Sequence, residues 1–353
     1  MTPQQSADNT PPQKRKSIRL TRWILAITVV FIAVTFFFVV PMMTEKADRD
    51  AIIKIPEKAT PKMVADSLEK YLGESYARKV IRLSRIHKVD FSKRHGAYLI
   101  PKDMNVFMAE RRLHRGGQNP VRLTINGFRS IPLMAERIAA KLDFSEQDLD
   151  KALRDSTMLA EYGLSPRQGL ALFLDDTYEV YWTSTPEEVI RKIGSNFKDV
   201  WNPTRRRKAA ELGLTPAEVI TIASIVDEET NRKGEKGKIG RLYINRLQRG
   251  MKLQADPTVR FALNDFTIRR VMSSHLRVDS PYNTYLNPGL PPGPIRTTSV
   301  ATIDAVLNSE PSNDIYMCAK EDFSGFHNFA ADYSEHVANA LKYQHALDIR
   351  GIK

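Results

Sequence analysis

The residues best suited to chemistry gather in one short stretch. Thr215-Pro216-Ala217-Glu218 leads into VITIASIVDEET (219–230). A threonine N-cap, a proline at the first helical position and a glutamate at the third form a capping box, so a helix begins there. Val219, Ile222, Val226 and Glu229 follow at intervals of three, four and three, which places them on one stripe. A carboxyl among aliphatic neighbours loses solvation of its charged form, and its pKa rises. Such a group can keep its proton near neutral pH and serve as a general acid. The plainer alternative is an ion pair at the helix end between Glu229 and Arg232 or Lys233. Asp227 is expected to point to the other side, and Glu228, offset by about 100°, to be more exposed.

Several elements must hold that carboxyl in place. KIGRLYINRLQR (238–249) is predicted to be a second amphipathic helix, stopped by Gly250. Three loops rich in proline, glycine and asparagine follow: LQADPTV (253–259), SPYNTY (280–285) and NPGLPPGPI (287–295). Proline and glycine fix turns in such segments and hold Gln254, Asp256, Asn283 and Tyr285 in irregular backbone, as in a cleft floor. These four side chains are candidates for contacting a ligand or fixing the loops. His327, in GFHNF (325–329), is a further candidate.

Upstream, AIIKI (51–55) is predicted as a strand, Thr60-Pro61 as a helix start, residues 77–87 as a second helix and HGAYLIP (95–101) as a strand. A helical stretch at 104–114 completes a small α+β module spanning 48–118. A strand at 119–125 opens the second domain, 119–347, with helices expected at 130–142, 145–155 and from Thr185 to about 196. The run Arg205-Arg206-Arg207-Lys208 reads as a solvated helix face.

The N-terminus breaks the average composition. Trp23–Val40 carries no charge, and Thr28 and Thr35 are its polar interruptions. With Pro41–Met43 this segment, at about 1.5 Å per residue, nearly matches a hydrocarbon core of about 30 Å. It is longer than a signal-peptide core and lacks a small-x-small exit, so a retained transmembrane helix at 23–43 is expected. Lys14, Arg15, Lys16, Arg19 and Arg22 precede it and only Asp8 opposes them, which assigns residues 1–22 to a disordered cytoplasmic tail and the rest to the outer side. The formal net charge of +12 then suits an anionic wall polymer or lipid surface; an outward-facing protein seldom meets nucleic acid.

Cys318 is the one cysteine, so no intramolecular disulfide can form, and it reads as a small buried hydrophobe. None of the seven histidines falls in an HExxH or other familiar zinc spacing, and there is no GxSxG elbow. No metal, cofactor or serine nucleophile is expected.

ASIVDEET (223–230), YINRLQRGMKLQADPTV (243–259), SPYNTY (280–285), GLPPGPI (289–295) and GFHNF (325–329), in this order and spacing, resemble the signature of MltG/YceG-type endolytic murein transglycosylases. The resemblance is dense over 215–345 and continues back to about residue 90, where HGAY (95–98) is similar to the family's xGxY strand. It implies an α+β protein: a single N-terminal transmembrane helix, a LysM-like juxtamembrane module, and a mixed α/β catalytic domain. It places the family's catalytic glutamate, the second of ASIxExET, on Glu229. Asp227 stands where the family has the first glutamate. In LFLDDTY (172–178) Asp175 stands where the family has proline, and Leu170 where it has glutamate.

The implied reaction cuts the MurNAc–GlcNAc bond of peptidoglycan glycan strands without water and leaves 1,6-anhydro-MurNAc ends. The C6 hydroxyl of the same sugar is the tethered nucleophile, so one carboxyl suffices where most glycosidases use two. Implied partners are glycan strands, the inner membrane and peptidoglycan synthases, and the implied role is to end strand elongation. Two rivals remain open at this point: a hydrolase pairing Glu229 with a second carboxylate such as Asp256, and a non-catalytic glycan-binding scaffold.

Overall fold

The computed structural model describes residues 14–351; the expected tail up to residue 13, including Asp8, lies outside the described residues. The chain divides into two compact units, Met1–Asn119 and Pro120–Lys353.

In the first unit, α1 (Lys14–Val34) continues through a π-helical turn at Thr35–Val39 into α2 (Val40–Thr44). Helix thus begins at Lys14, inside the stretch expected as tail. Thr21–Thr44 forms one apolar helix of 24 residues with none of its most apolar window buried, long enough to cross a membrane.

β1 (Ala51–Ile55), α3 (Pro61–Leu72), α4 (Glu74–Ile86), β2 (Gly96–Ile100) and α5 (Val106–Arg115) follow. β1 and β2 pair antiparallel, with Ile53 opposite Tyr98. The alternating burial of β1 puts Ala51, Ile53 and Ile55 onto the helices. There they meet Val64 and Leu68 of α3, Val80 of α4, and Val106, Ala109 and Leu113 of α5. The helix starts obey local rules: Thr60 caps α3 by accepting from the Met63 amide, and Asn105 caps α5 by accepting from the Met108 amide.

The second unit opens with β3 (Pro120–Ile125), α6 (Ile131–Ala139), α7 (Glu146–Arg154) and α8 (Ser156–Ala160), followed by β4 (Asp176–Tyr181). β3 and β4 pair antiparallel, with Val121 opposite Val180. Then come α9 (Pro186–Val200), α10 (Pro203–Glu211), α11 (Pro216–Glu229), α12 (Lys236–Gln248), α13 (Asp256–Leu263) and α14 (Val300–Leu307). The antiparallel pair β5 (Tyr316–Ala319) and β6 (His327–Ala330) precedes α15 (Tyr333–Ile349). Arg205 of the basic run is not merely solvated, since it forms a two-pronged ion pair with Asp304 on α14.

α11 is the centre of this unit. Ala217 and every residue from Val219 to Val226 are buried, so the helix is enclosed on all sides by neighbours that include α10, α12, α13 and α14. Its N-terminus is closed by the predicted capping box between Thr215 and Glu218. Ser224, fully buried in α11, accepts the Ile295 amide at 3.0 Å and so ties the end of GLPPGPI to the helix.

That loop also explains one of its glycines. A Cβ on Gly293 would lie 2.2 Å from the Arg167 carbonyl oxygen, a backbone atom that cannot swing away. Gly293→Ala should therefore destabilise the second unit by about 1–3 kcal/mol. A thermal melt should show a fall of roughly 2–4 °C per kcal/mol; an unchanged melting temperature would refute this close packing.

Candidate active site

α11 ends in three consecutive acids, and each is held differently. Glu229 takes a hydrogen bond from the Tyr243 hydroxyl at 2.7 Å, and Tyr243 is itself buried in α12. Burial pushes the Glu229 carboxyl above the usual carboxylate range, although the residue keeps some exposed surface. The Tyr243 hydrogen bond opposes that rise, the charge of Asp256 adds to it, and His327 and Arg260 pull the other way. Burial, together with the Glu229 charge, also raises the Tyr243 phenol well above its ordinary value, so it stays a neutral donor. The alternative of a helix-end ion pair is not what forms, because Arg232 turns instead to the Ser324 carbonyl at 2.6 Å.

Asp227 is an anchor. Its Oδ1 pairs with Lys236 at 2.5 Å and accepts from the Thr302 hydroxyl at 2.7 Å, while Oδ2 accepts from Thr298. Glu228 corrects the expectation of an exposed residue. Its side chain is only 10% exposed and lies between Arg129, whose Nε and Nη2 donate at 2.9 and 3.1 Å, and Arg296 at 3.0 Å. A helical wheel anticipates an outer face, but α11 has none, and each acid at its end meets a different wall. With Asp227 and Glu228 each tied to several neighbouring side chains, the last turn of α11 has little freedom to move Glu229.

The loop candidates separate into two groups. Asp256, in the first turn of α13, accepts from the Tyr285 hydroxyl at 2.6 Å, and the Asp256 charge reaches Glu229. Burial raises the Tyr285 phenol, and the Asp256 hydrogen bond raises it further. Gln254 is exposed, has a left-handed backbone (φ 50°), and accepts from Arg246 at 3.3 Å. A non-glycine residue held there needs surrounding structure to maintain it. Here the Gln254 amide is bonded to the Thr284 carbonyl, and the Ala255 amide to the Thr284 hydroxyl.

Asn283 does not face a ligand. It is 0% exposed, with its amide spent on the carbonyls of Leu276 and Val278 and its oxygen on the Tyr285 amide. It fixes the loop that presents Tyr285, because irregular backbone buried away from water must find its hydrogen bonds in a side chain.

His327 is held by Glu235, which accepts from its backbone N–H at 2.7 Å and meets its Nδ1 at 2.9 Å. Glu235 is buried at 3% exposure, and this pairing fixes both the ring's orientation and which nitrogen faces outward.

Several participants escape a linear reading. Tyr243 lies in an ordinary amphipathic pattern with nothing to mark it as the partner of Glu229. Arg246, one turn later, is buried and donates to the carbonyls of Ile315, Leu253 and Lys252, so it joins the residue before β5 to the start of the LQADPTV loop. The divergent Asp175 accepts from the Gly127 amide at 2.9 Å and the Thr297 hydroxyl at 2.5 Å. It ties the turn after β3 to the irregular segment carrying Arg296, while Leu170 is simply core.

Comparison with known proteins agrees with this architecture. A match to the YceG-like family covers residues 53–342. A Bacillus subtilis (strain 168) protein called endolytic murein transglycosylase is 38% identical over 125 residues, covering 35% of this chain and 34% of its own. A protein of the same name from Streptococcus pneumoniae (strain D39) is 26% identical over 175 residues, covering 47% of this chain and 31% of its own. The matched stretch thus spans about a third of the length of these relatives. A crystal structure of a yceG-like protein from Listeria monocytogenes superposes with a TM-score of 0.56 at 23% identity, over 83% of this chain and 99% of that one. That likeness concerns the fold. With the family match running from β1 into α15, the chain belongs to the YceG-like family.

Proposed function

We propose that this chain is an endolytic murein transglycosylase with Glu229 as its catalytic acid and base. The observation that carries the proposal is a carboxyl whose pKa burial raises, held at the end of α11 beside Asp256–Tyr285 and His327. The relatives' names supply the substrate class.

In the proposed reaction the Glu229 carboxylic acid gives its proton to the glycosidic oxygen as the C1–O bond of the muramic sugar breaks. The resulting carboxylate takes the proton from the C6 hydroxyl as the O6–C1 bond forms. The acid is regenerated, a 1,6-anhydro end results, and no water is consumed. Tyr243 donates to the carboxylate formed between the two steps and offsets part of its desolvation. Gln254, Asp256 and Tyr285 are the side chains proposed to meet the glycan, with His327 beside them; Asn283 serves by holding the loop.

The apolar helix is proposed as a single-pass anchor in the inner membrane, with the basic N-terminus in the cytoplasm and the chain after about residue 44 outside. The β1–α3–α4–β2 unit is proposed as a LysM-like glycan contact, with peptidoglycan synthases as partners in terminating strands.

Glu229→Gln should leave the protein folded and abolish strand cleavage. Digested sacculi analysed by mass spectrometry test the assignment: wild-type products should be lighter than hydrolytic ones by one water per cut. Hydrolytic masses would favour the hydrolase, and wild-type binding without any shortening would favour the scaffold. The same variant should be the more stable protein at neutral pH. A carboxyl whose folded pKa lies above its unfolded value, about 4.3 for glutamate, loses stability as pH rises through the folded pKa. The difference in melting temperature should therefore close as pH falls toward that unfolded value.

Tyr243→Phe removes a hydrogen bond that lowers the Glu229 pKa. The alkaline limb of kcat/KM should move to higher pH, and the maximal rate should fall as the carboxylate loses its donor. An unmoved limb would show that Glu229 is not the titrating acid.

A further inference from the structure

The first unit contains a cluster of side chains of metal-ligating type. Glu110 lies in α5 with its side chain only 1% exposed, although it carries a carboxyl. Its partners among the described residues are two imidazoles. His87 Nδ1 lies 2.9 Å from Glu110 Oε1, and His114 Nδ1 lies 3.6 Å from the same oxygen. His114 is one turn along α5 from Glu110, whereas His87 is the C-cap residue of α4. One ligand atom from each of the three lies within 4.8 Å of the others. The rings are 6.0 Å apart between centroids and inclined by 32°.

We propose that His87, Glu110 and His114 form a site for a single zinc-class divalent transition-metal ion that clasps the end of α4 to α5.

Three features of the geometry support this. At zinc–ligand bonds of about 2.0–2.1 Å, tetrahedral ligand atoms stand roughly 3.3 Å apart. The observed separations of 2.9 and 3.6 Å straddle that edge, so small side-chain rotations admit an ion. Two nitrogen ligands and one carboxylate oxygen select zinc and its neighbours over magnesium or calcium, which take oxygen. The imidazole side chains are 38% and 44% exposed while the carboxylate is covered. The site therefore faces solvent, where water can fill the fourth position and the ion can enter.

The cluster also bridges two elements at a place where the backbone turns sharply. Lys88, directly after His87, has a left-handed backbone (φ 52°), and Val89 returns its amide to the Ser84 carbonyl. An ion here would fix that turn against α5. Neither chain spacing resembles a zinc motif, because His87 comes from a different helix.

The test uses the full-length chain in detergent, stripped with a chelator and titrated with Zn2+ alone against a chromophoric zinc indicator. One ion per chain should bind, and Co2+ in its place should give the visible absorption of a tetrahedral site. His114→Gln and His87→Gln alter half-exposed side chains, so both should fold, as circular dichroism would show. Each should weaken zinc binding by more than the roughly 10–100-fold that loss of a metal ligand's outer hydrogen-bond partner costs. Each should also lose the zinc-dependent rise in melting temperature seen in the wild type. Equal zinc affinity in the wild type and both variants, or no binding by the wild type, would overturn the proposal and leave a plain carboxylate–imidazole cluster. Strand cleavage plays no part in this readout.

Discussion

A carboxyl group holds its proton near neutral pH only where its charged form is poorly solvated, and a protein can sustain such a place only by enclosing it. Here the enclosure comes from α11, a helix covered on every side, which delivers Glu229 to the edge of the core at its last turn. Burial raises the carboxyl's pKa, and a single phenolic donor moderates the effect. Much of the rest of the second unit can be understood as holding that one desolvated acid in register. The cost of burying it is met by the packing of the whole domain, as is usual for strained or desolvated active sites.

The supports are ionic on one side and backbone-directed on the other. Asp227 with Lys236 and Glu228 with Arg129 and Arg296 pin the end of α11. Such partly buried pairs add little net stability, but they fix geometry, since breaking one leaves a charge without its partner. On the far side, Asn283, Arg246, Thr258 and Thr284 spend their polar atoms on loop backbone and on one another. Loops of that composition cannot be held by packing alone. Their amides and carbonyls need partners, and buried side chains provide them.

The proposed single-carboxyl site would fit a reaction whose nucleophile is already tethered to the substrate. Two-carboxylate glycosidases set the gap between their acids to admit water or form a covalent bond. In this chain Asp256, the second acid whose charge reaches Glu229, is engaged by Tyr285. That pairing suits a supporting role.

Much of this protein was legible along the chain because it rests on local physics. The apolar N-terminal helix, the capping boxes at Thr185 and Thr215 and the strands at 51–55 and 120–125 follow from periodicity and from groups a few residues apart. The place of Glu229 on an apolar stripe was visible for the same reason, and family motifs marked the loops around it. Only the tertiary structure decided that Glu228 is clamped by two arginines, that Asn283 is scaffold, that Tyr243 is the donor, and that His87 joins Glu110 and His114. Each of these depends on groups brought together from distant segments. Spacing in a sequence encodes neighbours within one element; which elements then touch is settled by the packing of the entire core.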